Sequence, residues 1–518
     1  MLKFPRAILV VLDGFGIASP SAYNAVSLAD PKFFKELIAW YPTRILQASG
    51  PAVGLPWGER GNSEVGHLHL GAGRVVTQEL PRINRSIADG SFYKNPVLLS
   101  AIKGAVKNDG TLHIAGLLGV GSVHSYEQHI YTLLGMCKDL GVKNLALHIF
   151  TDGVDSPTQT ALPLIKKLEE KIRNEGIGRI ATVTGRFYAM DKGEHWDLTQ
   201  SALNAMVLGD GEIFESAKEA ISDRYEKGIS DDMIPPSIIG NGKDTRGKIS
   251  EGDAVIFFNF RSDRMMQMTK LFTTQVKNVR VVTLSFYGPD LPVDVAFMPQ
   301  EVKDSLGEVI SKAGFTQYHV AESDKFAHVT FFFNGHRFEP WPGEERLIIN
   351  PSDAGFKTYD ERPEMEALNI VSAVKERISK TEDKLILINF ANCDLVGHTG
   401  NLQAAIQAVL TVDSCLRELA ELAKQTSALL VVTSDHGNCE QMLDVLTGRV
   451  DKEHTSNPVP VTFYGEGLKL PIASNLNLFS IAGIIPSGLL ADVAPTVLKL
   501  LGMEVPAVMQ GCILGIGD

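Results

Sequence analysis

The stretch Ala7-Ile8-Leu9-Val10-Val11-Leu12-Asp13-Gly14 carries the pattern that decides the fold class. Six consecutive apolar residues suit a strand that is covered on both faces, and an acidic residue follows them directly. Similar apolar runs recur at 145–150, 254–260, 385–390 and 429–433, with helix-like patterns between them. The sequence therefore predicts an α/β class with largely parallel sheets.

The size and composition of the chain indicate a globular protein of more than one domain. Its 518 residues exceed what one hydrophobic core usually serves, and 44% apolar with 21% charged residues is typical of a soluble enzyme. A net charge of -12 argues against nucleic acid or an anionic membrane as a partner. The five scattered cysteines form no CxxC pair, which is typical of reduced thiols, and no apolar run is long enough to span a bilayer. We expect a cytoplasmic protein.

Four further segments place Asp, His or Ser where strands or loops are expected to end. They are Gly61-Asn62-Ser63-Glu64-Val65-Gly66-His67, Asp394-Leu395-Val396-Gly397-His398, Ser434-Asp435-His436-Gly437 and Glu453-His454-Thr455. Together with Asp13 they offer three aspartates, three imidazoles at 398, 436 and 454, and the Ser63 hydroxyl. Oxygen and imidazole ligands in this number suffice for two divalent cations beside a serine nucleophile.

Each of these residues also has an ordinary structural interpretation. Asp13 alone suits a turn, Asp394 and His398 suit an i,i+4 helical pair, and Asp435 suits a solvated loop. Ser63 suits a helix N-cap, although the same backbone donors and the positive end of the helix dipole also suit a phosphate. The metal interpretation is favoured because the whole set occurs in one chain.

The middle of the chain carries a different set of side chains. Arg261 and Arg264 follow the apolar run 254–260, and Arg186 follows another predicted strand. Guanidinium groups grip phosphate or carboxylate, and His124 and Asp155 could move protons on a hydroxy acid. The alternatives are surface ion pairs for the arginines and a helix cap for the histidine.

The order of the motifs predicts one domain inserted into another. The metal-type motifs lie before about residue 78 and after about residue 390, and the arginine-bearing loops lie between. We therefore expect a metal-binding domain formed by 1–78 and 302–518, with a substrate-binding domain at 79–301.

Eight motifs resemble those of one family, the cofactor-independent (2,3-bisphosphoglycerate-independent) phosphoglycerate mutases of the alkaline phosphatase superfamily. They are VLDGFG, GNSEVGHLHLGAGR, GRFYAMD, FFNFRSDR, KFAHVTFFFNG, NFANCDLVGHTG, TSDHGNCEQM and HTSNPVPV, and they occur in the family's order over nearly the whole chain. The resemblance implies a discontinuous phosphatase-like domain with an inserted α/β transferase domain. It also implies a monomer that needs no bisphosphoglycerate.

The resemblance further implies roles for particular residues. One manganese-type site would use Asp394, His398 and His454, and a second would use Asp13, Ser63, Asp435 and His436. Zn, Co or Mg would also suit such ligands. Substrate would be held by His124, Asp155, Arg186, Lys192, Arg261, Arg264 and Lys325. In the family mechanism of glycolysis and gluconeogenesis, the serine takes the phosphoryl group from 3-phosphoglycerate and returns it to the other hydroxyl, which gives 2-phosphoglycerate.

Three positions depart from the family pattern. Val154 stands where TDGRD has arginine, Lys192 stands where arginine is usual, and the loop before His124 reads GVGS rather than a DGG type. Lysine keeps the charge but loses the planar fork, whereas valine loses both. A metal-dependent phosphatase of the same superfamily, acting on a small phosphorylated metabolite, is therefore the alternative function.

Overall fold

The computed structural model describes residues 3–240, 247–351, 357–444 and 447–515. The chain forms two compact units: unit 1 comprises Met1–Gln78 with Gln300–Asp518, and unit 2 comprises Glu79–Pro299. Each unit is built on one eight-stranded sheet with helices. The predicted α/β class, with a discontinuous domain around an inserted one, is confirmed.

The described residues form sixteen strands, and several coincide with the apolar runs in the sequence. They are β1 (Ala7–Leu12), β2 (Thr43–Gln47), β3 (Leu112–Leu118), β4 (Leu145–Thr151), β5 (Arg179–Gly185), β6 (Glu212–Phe214), β7 (Ser237–Ile239), β8 (Ala254–Phe257), β9 (Arg280–Ser285), β10 (Asp294–Phe297), β11 (Gln317–Glu322), β12 (Glu344–Ile349), β13 (Leu385–Phe390), β14 (Leu429–Thr433), β15 (Val459–Tyr464) and β16 (Gly488–Leu489).

The α-helices of the described residues alternate with these strands. They are α1 (Ala25–Ala29), α2 (Lys32–Trp40), α3 (Ser63–Ala72), α4 (Glu79–Ala88), α5 (Pro96–Lys107), α6 (Glu127–Asp139), α7 (Ala161–Glu175), α8 (Arg186–Ala189), α9 (Trp196–Val207), α10 (Ala217–Glu226), α11 (Met266–Gln275), α12 (Leu306–Lys312), α13 (Ala367–Lys380), α14 (Asn392–Gly397), α15 (Leu402–Gln425), α16 (Leu478–Ile481) and α17 (Val493–Leu500). None of them is long and apolar enough to cross a bilayer.

The sheet of unit 1 has the strand order β12-β11-β13-β1-β14-β15-β2-β16. The first five strands of this order, from β12 through β11, β13 and β1 to β14, run parallel. Leu12 of β1 pairs with Phe390 of β13, and Val11 pairs with Thr433 of β14. Strand β15 is antiparallel to β14 and to β2. The prediction of a largely parallel sheet thus holds for the half that contains β1, and the other half is mixed.

Both faces of this sheet are covered by helices. Along β1, Ile8 and Val10 pack into one apolar cluster with residues of α2, α13 and α15, whereas Leu9 and Val11 pack into another with residues of α3 and α17. Successive side chains of a strand point to opposite faces, so an uninterrupted apolar run is what this layering requires. The burial of both faces of the sheet therefore explains the six consecutive apolar residues of β1.

The sheet of unit 2 has the order β10-β9-β8-β3-β4-β5-β7-β6, in which only the β5–β7 pairing is antiparallel. Along β3, Leu112 and Ile114 pack in one cluster with α5 and α6, and Ala115 and Leu117 pack in another with α9 and α11. All five cysteines are free thiols, as predicted.

Candidate active site

Four adjacent parallel strands of unit 1 end at one edge of the sheet, where ligands of α/β proteins usually bind. Asp13 follows β1 directly, and Asp435 follows β14. Asp394 lies in the short helix α14 after β13, and Lys325 ends a 3-10 turn, Ser323–Lys325, after β11. Burial is nearly complete, since the three aspartates are at most 2% exposed.

Ser63 is the first residue of helix α3, and Asn62 caps the helix. The Ser63 hydroxyl is therefore not needed for capping and can bond to other side chains. The Asn62 Oδ1 accepts the backbone N–H of Val65 at 3.0 Å. The interpretation of Ser63 itself as the N-cap is therefore wrong. Its Oγ lies 2.7 Å from Lys325 Nζ, 2.9 Å from His436 Nε2 and 3.1 Å from Asp13 Oδ1.

Asp394, His398 and His454 converge on one point. The Nε2 atoms of His398 and His454 lie 3.2 and 3.3 Å from Asp394 Oδ1. The opposite nitrogen of each ring faces a backbone carbonyl: His398 Nδ1 is 2.5 Å from Lys452 O, and His454 Nδ1 is 2.9 Å from Gly61 O. These bonds fix the tautomer in which both Nε2 lone pairs point towards the carboxylate.

Asp13, Asp435 and His436 form a second group beside Ser63. His436 Nε2 lies 3.4 Å from Asp13 Oδ1 and 3.7 Å from Asp435 Oδ2. The Nδ1 of His436 faces Gly437 O at 3.2 Å. Asp435 Oδ2 is buried and makes no well-aligned hydrogen bond among the described residues, although His67 Nδ1 lies 3.1 Å away. An orphaned buried carboxylate oxygen is costly unless a cation is bound to it.

The charges of this site interact strongly. Burial lowers the pKa of Lys325, but the surrounding charges of Asp13, Asp394 and Asp435 raise it overall, so the amine stays protonated. Its Nζ lies 2.7 Å from both Asp13 Oδ1 and Asp394 Oδ2. Burial also lowers the pKa of His436, but Asp435, Asp13 and Asp394 raise it to about 10. Three carboxylates against one ammonium and one imidazolium leave one excess negative charge, and a divalent cation that displaces the imidazole proton suits such a site.

Unit 2 gathers a second set of predicted residues, again at the ends of adjacent strands. Arg186 NH1 lies 2.5 Å from Asp155 Oδ2 and 2.6 Å from Asp152 Oδ1. His124 Nε2 is 3.7 Å from Asp155 Oδ2, and its Nδ1 is 3.6 Å from Asp263 Oδ1. Burial lowers the pKa of His124 to about 4, so the imidazole is neutral near pH 7 and can accept a proton.

The other basic residues of unit 2 predicted to bind substrate are Lys192, Arg261 and Arg264. Arg261 Nε is 3.2 Å and Lys192 Nζ is 3.8 Å from the carboxylate of Asp263. Arg264 donates from NH1 to Met190 O at 3.5 Å. Val154, which stands in the same loop as Asp155, is 61% exposed and brings no charge.

Comparison with known proteins identifies the family. A family model described as the BPG-independent PGAM N-terminus matches residues 83–318. The 2,3-bisphosphoglycerate-independent phosphoglycerate mutase of Moorella thermoacetica is 42% identical over 515 residues, which cover 97% of each chain. This chain belongs to that family of phosphoglycerate mutases.

Further relatives agree with this membership. A 2,3-bisphosphoglycerate-independent phosphoglycerate mutase of Methanosarcina acetivorans is 42% identical over 515 residues, again 97% of each chain. A crystal structure of the Leishmania mexicana phosphoglycerate mutase, determined at low cobalt concentration, superposes with a TM-score of 0.74. It is 31% identical and covers 100% of this chain and 98% of its own. The sequence-based recognition of the phosphoglycerate mutase family is confirmed.

The donor set of this mutase chain fits divalent cations. The facing Nε2 lone pairs of His398 and His454, with the Asp394 oxygen between them, need a positive partner. Asp435, with Asp13 and His67, forms a second such point, and Asp13 also groups with Asp394 and His436. Imidazole and carboxylate donors of this kind suit Mn, Zn, Co or Mg.

Two residues of the mutase site were missed in the sequence. Asn389, at the end of β13, donates from Nδ2 to Asp13 Oδ2 at 2.7 Å and to His67 Nε2 at 3.0 Å. His67 Nδ1 lies 2.9 Å from Ser63 O and 3.1 Å from Asp435 Oδ2. His67 therefore lies against both the nucleophile helix and Asp435, and with Asp13 and Asp435 it forms a group that could hold a cation. Its i,i+4 spacing from Ser63 was the available signal.

Two carboxylates of unit 2 were also missed in the sequence. Asp152 lies in the segment 151–155, and Asp263 lies in the quoted FFNFRSDR motif. They balance the charges of Arg186 and Arg261. Lys325, assigned from the resemblance to the substrate set, lies in unit 1 among the aspartates.

Proposed function

We propose that this chain interconverts 3-phosphoglycerate and 2-phosphoglycerate through a phosphoserine intermediate on Ser63. The observation that carries the proposal is the environment of the Ser63 hydroxyl, which lies within 3.1 Å of Lys325 Nζ, His436 Nε2 and Asp13 Oδ1. A serine needs such partners because a free hydroxyl is a weak nucleophile.

The side chains around Ser63 can activate it and stabilise the transferred group. The Oγ–H donates to Asp13 Oδ1, while the protonated Lys325 donates to Oγ and favours the alkoxide. The positive end of helix α3 also lies at Ser63 and suits the phosphoryl oxygens. In the first half-reaction the Oγ–P bond forms as the P–O bond to glycerate breaks, and the second half reverses this at the neighbouring hydroxyl.

Divalent cations complete the proposal. Asp394, His398 and His454 would hold one ion, and Asp13, Ser63, Asp435 and His436 would hold the other. Bound ions would lower the pKa of the serine hydroxyl and neutralise charge on the transferring phosphoryl group. We propose Mn²⁺ as the metal, with Zn, Co or Mg as possible substitutes.

Unit 1 would thus be the metal-binding phosphatase-like domain and unit 2 the substrate-binding transferase domain. In unit 2, Arg261, Arg264 and Lys192 supply positive charge for the carboxylate and phosphate of the substrate. His124 and Asp155 can take and return the hydroxyl proton, since His124 is neutral near pH 7. The proposal extends to a monomeric, cytoplasmic enzyme of glycolysis and gluconeogenesis.

An enolase-coupled assay without bisphosphoglycerate tests this function. Turnover of 3-phosphoglycerate that requires Mn²⁺ and is abolished by EDTA supports it. Absence of turnover with Mn²⁺ present counts against it. Release of free phosphate faster than formation of 2-phosphoglycerate would instead identify a phosphatase, the activity favoured by the uncharged Val154.

A further inference from the structure

A buried carboxylate outside the predicted ligand set connects the loops that carry the ligands. Glu440 is 1% exposed and accepts four hydrogen bonds. Its Oε2 accepts the backbone N–H of Gly16 at 3.1 Å and of Asn438 at 2.8 Å. Its Oε1 accepts the side-chain amide of Asn457 at 2.9 Å and the hydroxyl of Thr455.

These four donors come from three separate ligand loops. Gly16 lies in the loop of Asp13, Asn438 in the loop of Asp435 and His436, and Thr455 directly after His454. The loops of His436 and His454 also pair with each other, because Thr455 N donates to Gly437 O at 2.9 Å. One carboxylate therefore joins the backbones that carry ligands of both proposed ions.

Two glycines of the quoted motifs make room for this side chain. A Cβ atom at Gly16 would lie 2.4 Å from Glu440 Cδ, and one at Gly437 would lie 2.4 Å from Glu440 Oε1. Cβ atoms essentially never lie that close to a non-bonded heavy atom, so any other residue would displace the carboxylate or the loop. Gly16 and Gly437 thus have a packing cause that the sequence motif does not reveal.

We propose that Glu440 is a positioning residue that sets the geometry of both metal sites without binding an ion. A carboxylate has about four lone-pair positions, and the four donors use them. The proposal rests on the two-ion site proposed above. It also assigns the two oxygens to different loops: Oε2 holds those of Asp13 and His436, and Oε1 holds that of His454.

This asymmetry predicts a selective effect of Glu440→Gln. Glutamine keeps one acceptor oxygen and replaces the other with an NH₂ donor. Gly16 and Asn438 offer backbone N–H groups that can only donate, so the amide oxygen must face them. The NH₂ group then faces the Thr455 hydroxyl and the Asn457 amide, which donate to Glu440 in the wild type. Both side chains would have to reorient so that an oxygen accepts a hydrogen bond from the new NH₂ group. The loop of His454 should loosen while the other loops stay held.

The test measures the number and affinity of bound Mn²⁺ ions by calorimetry and by electron paramagnetic resonance. Wild type should bind two ions. Glu440→Gln should bind one ion as wild type does and the other about 10- to 100-fold more weakly, the usual effect of losing an outer-shell partner. The matched control is Asp413→Asn. Asp413 is also a buried carboxylate, but it accepts the backbone N–H groups of Phe33 and Phe34 at 3.0 and 2.7 Å, away from the ligand loops. Its two Mn²⁺ affinities should equal those of wild type, even if its melting temperature falls.

Two results separate this inference from the proposed function. If wild type itself binds fewer than two ions, the proposed function fails. If wild type binds two and Glu440→Gln binds both with unchanged affinity, only the positioning role of Glu440 is overturned. Should Glu440→Gln not fold by circular dichroism, Thr455→Val decides, because it removes a single donor to Oε1. A several-fold weaker second ion in that variant supports the inference, and two unchanged affinities overturn it.

Discussion

The Nε2 atoms of His398 and His454 lie 3.0 Å apart, although each ring has its Nδ1 directed at a backbone carbonyl. With Nδ1 protonated, both Nε2 atoms present lone pairs, and two lone pairs at this distance repel each other. A cation bound by both rings and by Asp394 removes the conflict. This relationship is the physical reason for proposing the first metal site.

The first prediction concerns one ligand of that site. His398→Ala should lose one of two bound Mn²⁺ ions and lower kcat by at least about 100-fold, in line with the loss of a metal centre. The measurement is metal content after dialysis, together with the coupled assay. His195→Ala is the matched control, since His195 forms an i,i+4 pair with Asp191 at 3.1 Å as His398 does with Asp394 at 3.2 Å, but lies in unit 2. Equal metal content in both variants would contradict the assignment.

The second prediction concerns the uncharged position in unit 2. Val154→Arg should lower the KM for 3-phosphoglycerate, because the new guanidinium adds a charge-assisted contact worth about 1.5–3 kcal/mol, or about 10- to 100-fold. Steady-state kinetics measure this change. Val106→Arg, at an exposed position on α5, is the control for added charge. A KM that falls equally in both variants would indicate general electrostatic attraction rather than a specific contact.

The third prediction concerns Glu322, a buried residue at the end of β11. Burial raises the pKa of its carboxyl to about 7, and its Oε1 accepts the N–H of Glu366 at 3.1 Å. The folded state therefore favours the protonated form. This stabilisation is complete below the ordinary pKa of 4.5 and is lost as the pH rises through about 7.

Glu322→Gln mimics the protonated carboxyl and should remove this pH dependence. At about pH 8 the variant should exceed wild type in free energy of unfolding by about 3 kcal/mol, and near pH 4.5 the two should agree. Urea unfolding followed at several pH values measures the difference. Glu345→Gln, on the neighbouring strand and 67% exposed, is the control for loss of a carboxylate. A constant difference between wild type and Glu322→Gln at all pH values would contradict the prediction.

Much of the fold, and the position of three aspartates at one edge of the sheet, was predictable because strand ends are visible in the sequence. Asp13 follows an uninterrupted apolar run, and Asp394 and Asp435 come shortly after the strand-like runs 385–390 and 429–433. Parallel strands bring their carboxyl ends to one edge. The direction in which a strand runs relative to its neighbours is harder to predict from the sequence. The residues of β15 suit a strand, but nothing in their side chains indicates that the strand lies antiparallel to β14.

The supporting residues could not be predicted in the same way. Asn389 and Glu440 meet their partners only after the chain has folded, across separations of 376 and 424 residues. Their residue types alone suit a surface as well as a core.

Detection of a phosphoryl group on Ser63 would test most directly the claim that this serine is the nucleophile. Intact-protein mass spectrometry after brief mixing with 3-phosphoglycerate and Mn²⁺ should reveal one added phosphoryl group, mapped by fragmentation to Ser63 and missing in Ser63→Ala. Turnover to 2-phosphoglycerate without this adduct, or with full activity in Ser63→Ala, would contradict the account.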